Sequence, residues 1–142
     1  MSQIIRDMTE IARCGAQYKA DRLVPLGLKG CHASYLTEIC ANPGISQDQL
    51  AKRICINKSN VARQAVTLEE EGFLTRIPSA TDKRIMELHP TQKTLDLLPE
   101  ISCVLKRWEG CITGDLTPEE LEQLVTLLDK MKSRSAEYME ER

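Results

Sequence analysis

The stretch from Ile45 to Leu88 places the tightest limits on the fold, because a short helix, a polar-faced second helix and a charged hairpin follow one another there with little connecting chain. Ser46-Gln47-Asp48-Gln49 has the pattern of a capping box: the serine oxygen accepts from a free amide of the first turn and the glutamine three residues on reaches back. This predicts a helix from about Gln47 with Leu50, Ala51 and Ile54 turned inward. It runs into a break at Ile56-Asn57, after which Asn57 can cap a second helix reaching to about Glu71 and stopped by Gly72.

The second helix has two unlike sides. At about 100° per residue, Val61, Ala65 and Leu68 share one side, while Ser59, Asn60, Arg63, Gln64 and Thr67 share an arc of roughly 140° on another. The polar arc carries hydrogen-bonding groups and no carboxylate. Arginine is the usual bidentate partner of guanine, asparagine and glutamine of adenine, and serine or threonine adapts to base or phosphate. A solvated helix face has the same composition when taken alone. The segment after Gly72 separates the two readings: Phe73-Leu74-Thr75-Arg76-Ile77 and Arg84-Ile85-Met86-Glu87-Leu88 read as strands on either side of turn chemistry at Pro78-Ser79-Ala80-Thr81-Asp82-Lys83. Two helices joined tightly and followed by a charged hairpin make a winged helix-turn-helix, whose second helix enters a major groove.

At this level of detail the chain resembles the multiple-antibiotic-resistance regulator (MarR) family of bacterial transcription factors. The matching residues are the Leu26-Gly27-Leu28 lead-in, the helix pair from Ile45 to Leu68, the Glu71-Gly72-Phe73-Leu74 junction, Asp82-Lys83-Arg84 in the hairpin, and Leu88-His89-Pro90-Thr91 at the start of the next helix. The resemblance covers nearly the whole chain. It implies that Asp82 and Arg84 take the roles of an Asp-x-Arg hairpin, in which the aspartate braces the wing and the arginine enters the minor groove. One departure is His89-Pro90, where a leucine-threonine run is more usual.

The chain has 142 residues, enough for one domain with a real core, and the expected architecture is mainly α with a small β-hairpin. Residues 29–90 would form the winged helix-turn-helix core, and residues 1–28 and 91–142 the dimerisation helices. A formal net charge of −2 argues against a nucleic-acid partner until its distribution is followed. Residues 1–51 are neutral, residues 52–93 carry +3 and residues 94–142 carry −5, so positive charge gathers on the reading unit. Chance variation in a chain that is 28% charged could give the same excess, so charge supports the fold argument without replacing it. No charged-then-apolar leader opens the chain and no apolar run approaches the roughly 18 residues of a membrane span, which places the protein in the cytoplasm and away from membranes.

Outside the reading unit, helices are expected from about Ser2 to Leu23, closed by Pro25 and Gly27, and from about Cys31 to Ala41, closed by Asn42-Pro43-Gly44. Thr91 can cap a long helix with a kink or restart near Pro99 and a break from Gly110 to Gly114. Thr117-Pro118-Glu119-Glu120 is a second capping box, opening a last helix. The two outer helices carry more apolar residues than a small winged domain can bury, which predicts a homodimer with reading helices about one duplex turn apart on a pseudo-palindromic operator.

Enzymatic motifs are missing: no G-x-S-x-G, P-loop or H-E-x-x-H occurs, so no catalytic residue and no cofactor is expected. Cys31-His32 with Glu38 is the nearest approach to a metal pattern, but neighbours on a helix point about 100° apart, and no metal site is expected. None of the six cysteines forms a C-x-x-C pair, and in a reducing cytosol they read as thiols. The family resemblance adds two control schemes. Relatives that sense oxidants use a cysteine near the dimer helices, which makes Cys14 a redox candidate. Many others release DNA on binding a small aromatic or amphipathic effector, for which Tyr18, Arg22, His32, Tyr35 and Trp108 are the candidate lining.

The expected function is therefore a DNA-binding transcriptional regulator, a repressor acting on double-stranded DNA as a homodimer. Ser59, Asn60, Arg63 and Gln64 would meet base edges or phosphates, Lys52, Arg53, Lys58 and Lys83 would meet phosphates, and Arg84 braced by Asp82 would reach the minor groove. Two alternatives remain: a thiol-based sensor of the same fold, and a winged protein-interaction module that does not bind DNA.

Overall fold

The structure, a computed structural model, describes residues 2–141. In chain order it contains α1 (Gln3–Leu23), a 3₁₀ turn (Val24–Leu26), α2 (His32–Ala41), β1 (Ile45–Ser46), α3 (Gln47–Ile54), α4 (Lys58–Glu70), β2 (Leu74–Pro78), β3 (Met86–Pro90), α5 (Gln92–Thr113) and α6 (Pro118–Glu141). The chain falls into two compact units, one up to Lys106 and one from Arg107 onwards.

In the first unit the core gathers around the inner faces of α2, α3 and α4. Leu36, Ile39, Leu50, Val61 and Leu68 are fully buried, joined by Leu23 from α1, Phe73 and Leu88 from the hairpin region, and Ile101 from α5. Each element begins where local chemistry allows it. The Ser46 hydroxyl accepts from the Gln49 amide at 3.1 Å while the Gln49 side chain accepts from the Ser46 amide at 3.1 Å, completing the capping box of α3. Ser2 caps α1 through the Ile5 amide. The chain leaves α3 through Cys55 at φ 54°, a left-handed residue that turns it sharply into α4. A Cβ is disfavoured there by about 1–2 kcal/mol, so surrounding packing holds the turn. Gly72, at φ 84°, provides the matching reversal after α4 and aims Phe73 into the core. Gly30 does a different job: a Cβ on it would lie 3.1 Å from the Ala20 amide nitrogen and 3.2 Å from the Ala16 carbonyl, so α1 approaches the loop before α2 only because no side chain intervenes.

The sheet differs from the expected two-stranded hairpin. It has three antiparallel strands in the order β1-β3-β2, with Ile45 opposite Leu88 and Ser46 opposite Glu87. Both hairpin strands also start later than expected, at Leu74 and Met86, because Phe73 is taken up by the core and Ile85 by the turn, where the Ser79 amide donates to its carbonyl at 2.8 Å. The His89-Pro90 departure is accommodated in regular pairing, with Thr75 opposite His89 and Leu74 opposite Pro90 at the strand end, where a missing amide costs little.

One further expectation is corrected by α5. The helix passes Pro99 without restarting and runs through Gly110 to Thr113, so the break falls at residues 114–117. A single glycine costs a helix only about 1 kcal/mol, and the Thr113 hydroxyl, donating to the Glu109 carbonyl at 2.7 Å, ties down the last turn. In the second unit α6 starts at the expected capping box, with Glu120 N–H donating to the Thr117 hydroxyl at 3.1 Å and Thr117 N–H to the Glu120 carboxylate at 2.9 Å. Among the described residues, no helix is long and apolar enough to cross a membrane.

Replacing Ser46 with alanine removes the side-chain half of the α3 cap while leaving its backbone pairing with Glu87. The expected cost is about 1 kcal/mol of stability, seen as a fall in thermal unfolding midpoint of a few degrees in calorimetry.

Candidate nucleic-acid interface

α4 presents one face because its opposite face is fixed. Val61, Ala65 and Leu68 are completely buried, and the helix is anchored at both ends. At its start the Asn57 side chain accepts from the Ser59 amide at 2.8 Å and also from the Ser59 hydroxyl. At its end, successive carbonyls are taken up by the opening turn of α5. Lys93 Nζ donates to the Glu71 carbonyl at 3.0 Å, the Thr91 hydroxyl to the Gly72 carbonyl at 2.7 Å, and the buried Thr94 hydroxyl to the Phe73 carbonyl.

Arg63 and Ser59 stand exposed on the outer side, with Asn60 and Thr67 partly exposed beside them. Val66, 37% exposed, adds an apolar group to the same outward side. Gln64 is placed differently from the rest of the polar arc. It lies at the edge next to the buried stripe, and its Oε1 is 2.8 Å from Nε2 of His32. His32 is itself buried, and its Nδ1 accepts from the Lys29 amide at 3.2 Å.

The wing tip has the Asp-x-Arg geometry that the resemblance implied. Arg84 donates from Nε to Asp82 Oδ1 and from a terminal nitrogen to Oδ2, both at 3.1 Å, and its backbone amide donates to Oδ1 at 3.0 Å. The arginine side chain is nonetheless 90% exposed, so the brace orients it without hiding it. The guanidinium bonds, and then the backbone amide, hold the Asp82 carboxyl below its usual range.

A second arginine, which sequence reasoning left unassigned, fixes the root of the wing. Arg76 on β2 donates from Nε to Gln47 Oε1 at 3.1 Å, its backbone amide donates to Glu69 Oε2 at 2.9 Å, and its guanidinium lies 3.7 Å from Glu69 Oε1. One residue thus connects the first turn of α3, the last turns of α4 and the edge strand. A cation in a strand register facing the helix pair was the only available signal.

The expected phosphate contacts Lys52, Arg53, Lys58 and Lys83 are all exposed. Two have internal partners: Arg53 lies 3.3 Å from Glu38 and Lys58 3.5 Å from Asp48. Such surface pairs contribute little and yield readily to a phosphate. The expected effector lining is less unified. On α1 the Arg22 guanidinium lies 3.5 Å above the Tyr18 ring. His32 and Tyr35 are buried edge to face with centroids 6.2 Å apart, and burial, with a smaller contribution from Cys31, pushes the Tyr35 phenol above its ordinary range. Trp108 belongs to the second unit, where it is half-buried. Cys14 is an exposed thiol on α1. Among the described residues, no three His, Cys, Asp or Glu side chains cluster as metal ligands would.

A helix pair with a buried-backed outer face, a three-stranded sheet and a braced cationic tip define the winged helix-turn-helix class. The sequence profile of the MarR family matches residues 32–86. The chain is 30% identical over 142 residues to the uncharacterized HTH-type transcriptional regulator YybA of Bacillus subtilis (strain 168), an alignment covering 98% of this chain and 95% of that one. It superposes on the crystal structure of the transcriptional regulator SlyA with a TM-score of 0.93 at 29% identity, covering 98% of both chains. It superposes also on a MarR family regulator from Listeria monocytogenes in complex with a 26mer DNA, with a TM-score of 0.91 at 28% identity, covering 96% of this chain and 91% of that one. The chain belongs to the MarR family: it is a transcriptional regulator and not an enzyme.

Because the folded carboxyl of Asp82 titrates below its unfolded value, the Asp82–Arg84 brace is complete above the ordinary aspartate range near pH ~3.9 and is lost as pH falls through the lower folded value. Carboxyl NMR titration should give Asp82 a midpoint below that of a free aspartate, and Arg84→Ala should return it towards the ordinary value.

Proposed function

We propose that the protein is a cytoplasmic repressor that binds a pseudo-palindromic operator in double-stranded DNA as a homodimer and is released by a small aromatic or amphipathic effector. The observation that carries this reading is the outer face of α4: from Lys58 to Leu68 it has no carboxylate, the first on that side being Glu70 in the last turn, its apolar back is fully buried, and it belongs to the same compact unit as the exposed, Asp82-braced Arg84. In this arrangement Ser59, Asn60 and Arg63 meet the major groove, with Gln64 at their edge. Arg84 enters the adjoining minor groove, and Lys52, Arg53, Lys58 and Lys83 neutralise phosphates. The DNA complex of the Listeria monocytogenes relative supports the use of this fold on a duplex.

The exposed apolar residues support a dimer. On α1, Ile4, Ile5, Met8 and Ile11 are each at least 45% exposed, and on α6 so are Val125 and Leu127, with Leu128 and Met131 close behind. Rows of this kind on two helices of one chain are expected to be covered by a second copy. An effector that binds one spacing of the two reading helices better than the other shifts operator affinity by that difference. The stacked Tyr18–Arg22 pair is the accessible part of the candidate lining.

Selection of bound fragments from random DNA, followed by gel shift at several salt concentrations, tests the reading directly. Arg63→Ala should weaken binding by about 1–3 kcal/mol and relax one position of the site, whereas Lys58→Ala should weaken all sequences alike and flatten the salt dependence. An Arg63→Ala protein that keeps parental affinity and sequence preference would remove the base-reading assignment. Light scattering after size exclusion should give a dimer mass at micromolar concentration, and charged substitutions at Ile11 and Leu127 together should shift it towards the monomer.

A further inference from the structure

We propose that His32, a buried residue remote from the outer face of α4, determines what Gln64 can read on DNA, by taking the oxygen of its carboxamide and leaving only the amide nitrogen as a donor. The proposal rests on the reading of α4 as the helix that enters the major groove, and it adds a specificity to that helix.

The chemistry leaves one assignment of the protons. The Lys29 backbone amide can only donate, and it points at Nδ1 of His32 at 3.2 Å, so Nδ1 is an acceptor. A neutral imidazole with an unprotonated Nδ1 carries its proton on Nε2. That proton faces Gln64 at 2.8 Å, so the group it meets must be the carbonyl oxygen and not the amide nitrogen. The reverse orientation of the carboxamide would set two donors against each other. His32 is 1% exposed, so its ring has no water to exchange for this partner, and letting the bond go would leave a buried donor unsatisfied.

The consequence falls on recognition. Glutamine reads adenine with both ends of its amide, the oxygen accepting from the N6 amino group and the nitrogen donating to N7. With one lone pair of the oxygen committed to a buried ring on α2, the carboxamide is held from within and the two-point adenine match is disfavoured. The free N–H₂ is left to donate to acceptors, of which guanine offers two, O6 and N7, whereas adenine offers N7 alone and thymine O4 alone. Gln64 thus reads chiefly through its donor, which favours guanine, and His32 is its positioning residue.

The test compares parent, Gln64→Met, His32→Phe and His32→Gln by random-sequence selection, with affinities then measured on duplexes differing at single base pairs. In the parent, the position lost in Gln64→Met should prefer guanine over adenine. His32→Phe frees the carbonyl and should move that position towards adenine by about tenfold, while His32→Gln, whose amide nitrogen can replace Nε2, should keep the parental preference. A folded His32→Phe protein with unchanged base preference overturns the proposal, as does an adenine preference at this position in the parent. Should His32→Phe not fold, nitrogen NMR of the parent decides: a proton on Nε2 with Nδ1 bare supports the arrangement, and the opposite tautomer overturns it. A parent with no salt-sensitive DNA affinity fails the functional reading itself, an outcome distinct from a DNA-binding parent whose preference ignores His32.

Discussion

A helix can offer a polar face to a partner only when something else keeps it from rolling, and in this protein that restraint is the stripe Val61, Ala65 and Leu68 sealed into the core beside α3 and β2. Each of these side chains lies beyond the reach of water, so turning α4 about its axis would expose apolar surface at about 25 cal/mol per Å² and open voids behind it. The clasp at each end adds direction to the restraint. Asn57 sets where the helix begins, and Thr91, Lys93 and Thr94 hold where it stops. Everything on the outer face owes its orientation to contacts made on the inner one.

The wing is restrained by a different class of interaction. Its inner strand, β3, is central in the sheet and is bonded on both sides, by β1 and β2. Its outer strand depends on the Arg76 contacts to Gln47 and Glu69, which bring three elements to one guanidinium and its backbone amide. At the tip, the Asp82–Arg84 brace works over two residues and in water. Restraint therefore weakens steadily from the root of the wing to its end. The Arg84 guanidinium thus sits on a fixed base with a last few ångströms that can adapt.

What could be read from the residues was what is encoded locally. Ser46, Asn57 and Thr117 mark helix starts through bonds that span two or three positions, and the stripe on α4 is dictated by helical geometry alone. The Asp82–Arg84 brace came from the family resemblance, and its bonds too are local. What escaped was decided over distance. The two-residue strand β1 exists because Ile45 and Ser46 meet Leu88 and Glu87, some forty positions away, and nothing in so short a segment announces a strand. Gln64 looked like one more outward group because its partner sits 32 residues earlier, and Arg76 meets Gln47 across 29. Gly110 reads as an interruption, yet the rest of α5 supplies enough helix to carry it.

The junction at Ser46 has one more consequence. The residue is the last of β1 and the cap of α3, so its backbone belongs to the sheet while its hydroxyl belongs to the helix, and no spacer separates the two. Lengthening the chain there by even one amino acid would throw the strand out of phase with the helix. The turn between Pro78 and Met86 has no such double duty and can absorb extra residues. Variation in length between relatives of this protein should accordingly collect at the far end of the hairpin, so that the reach of the wing can drift over evolutionary time while the mounting of α4 stays put.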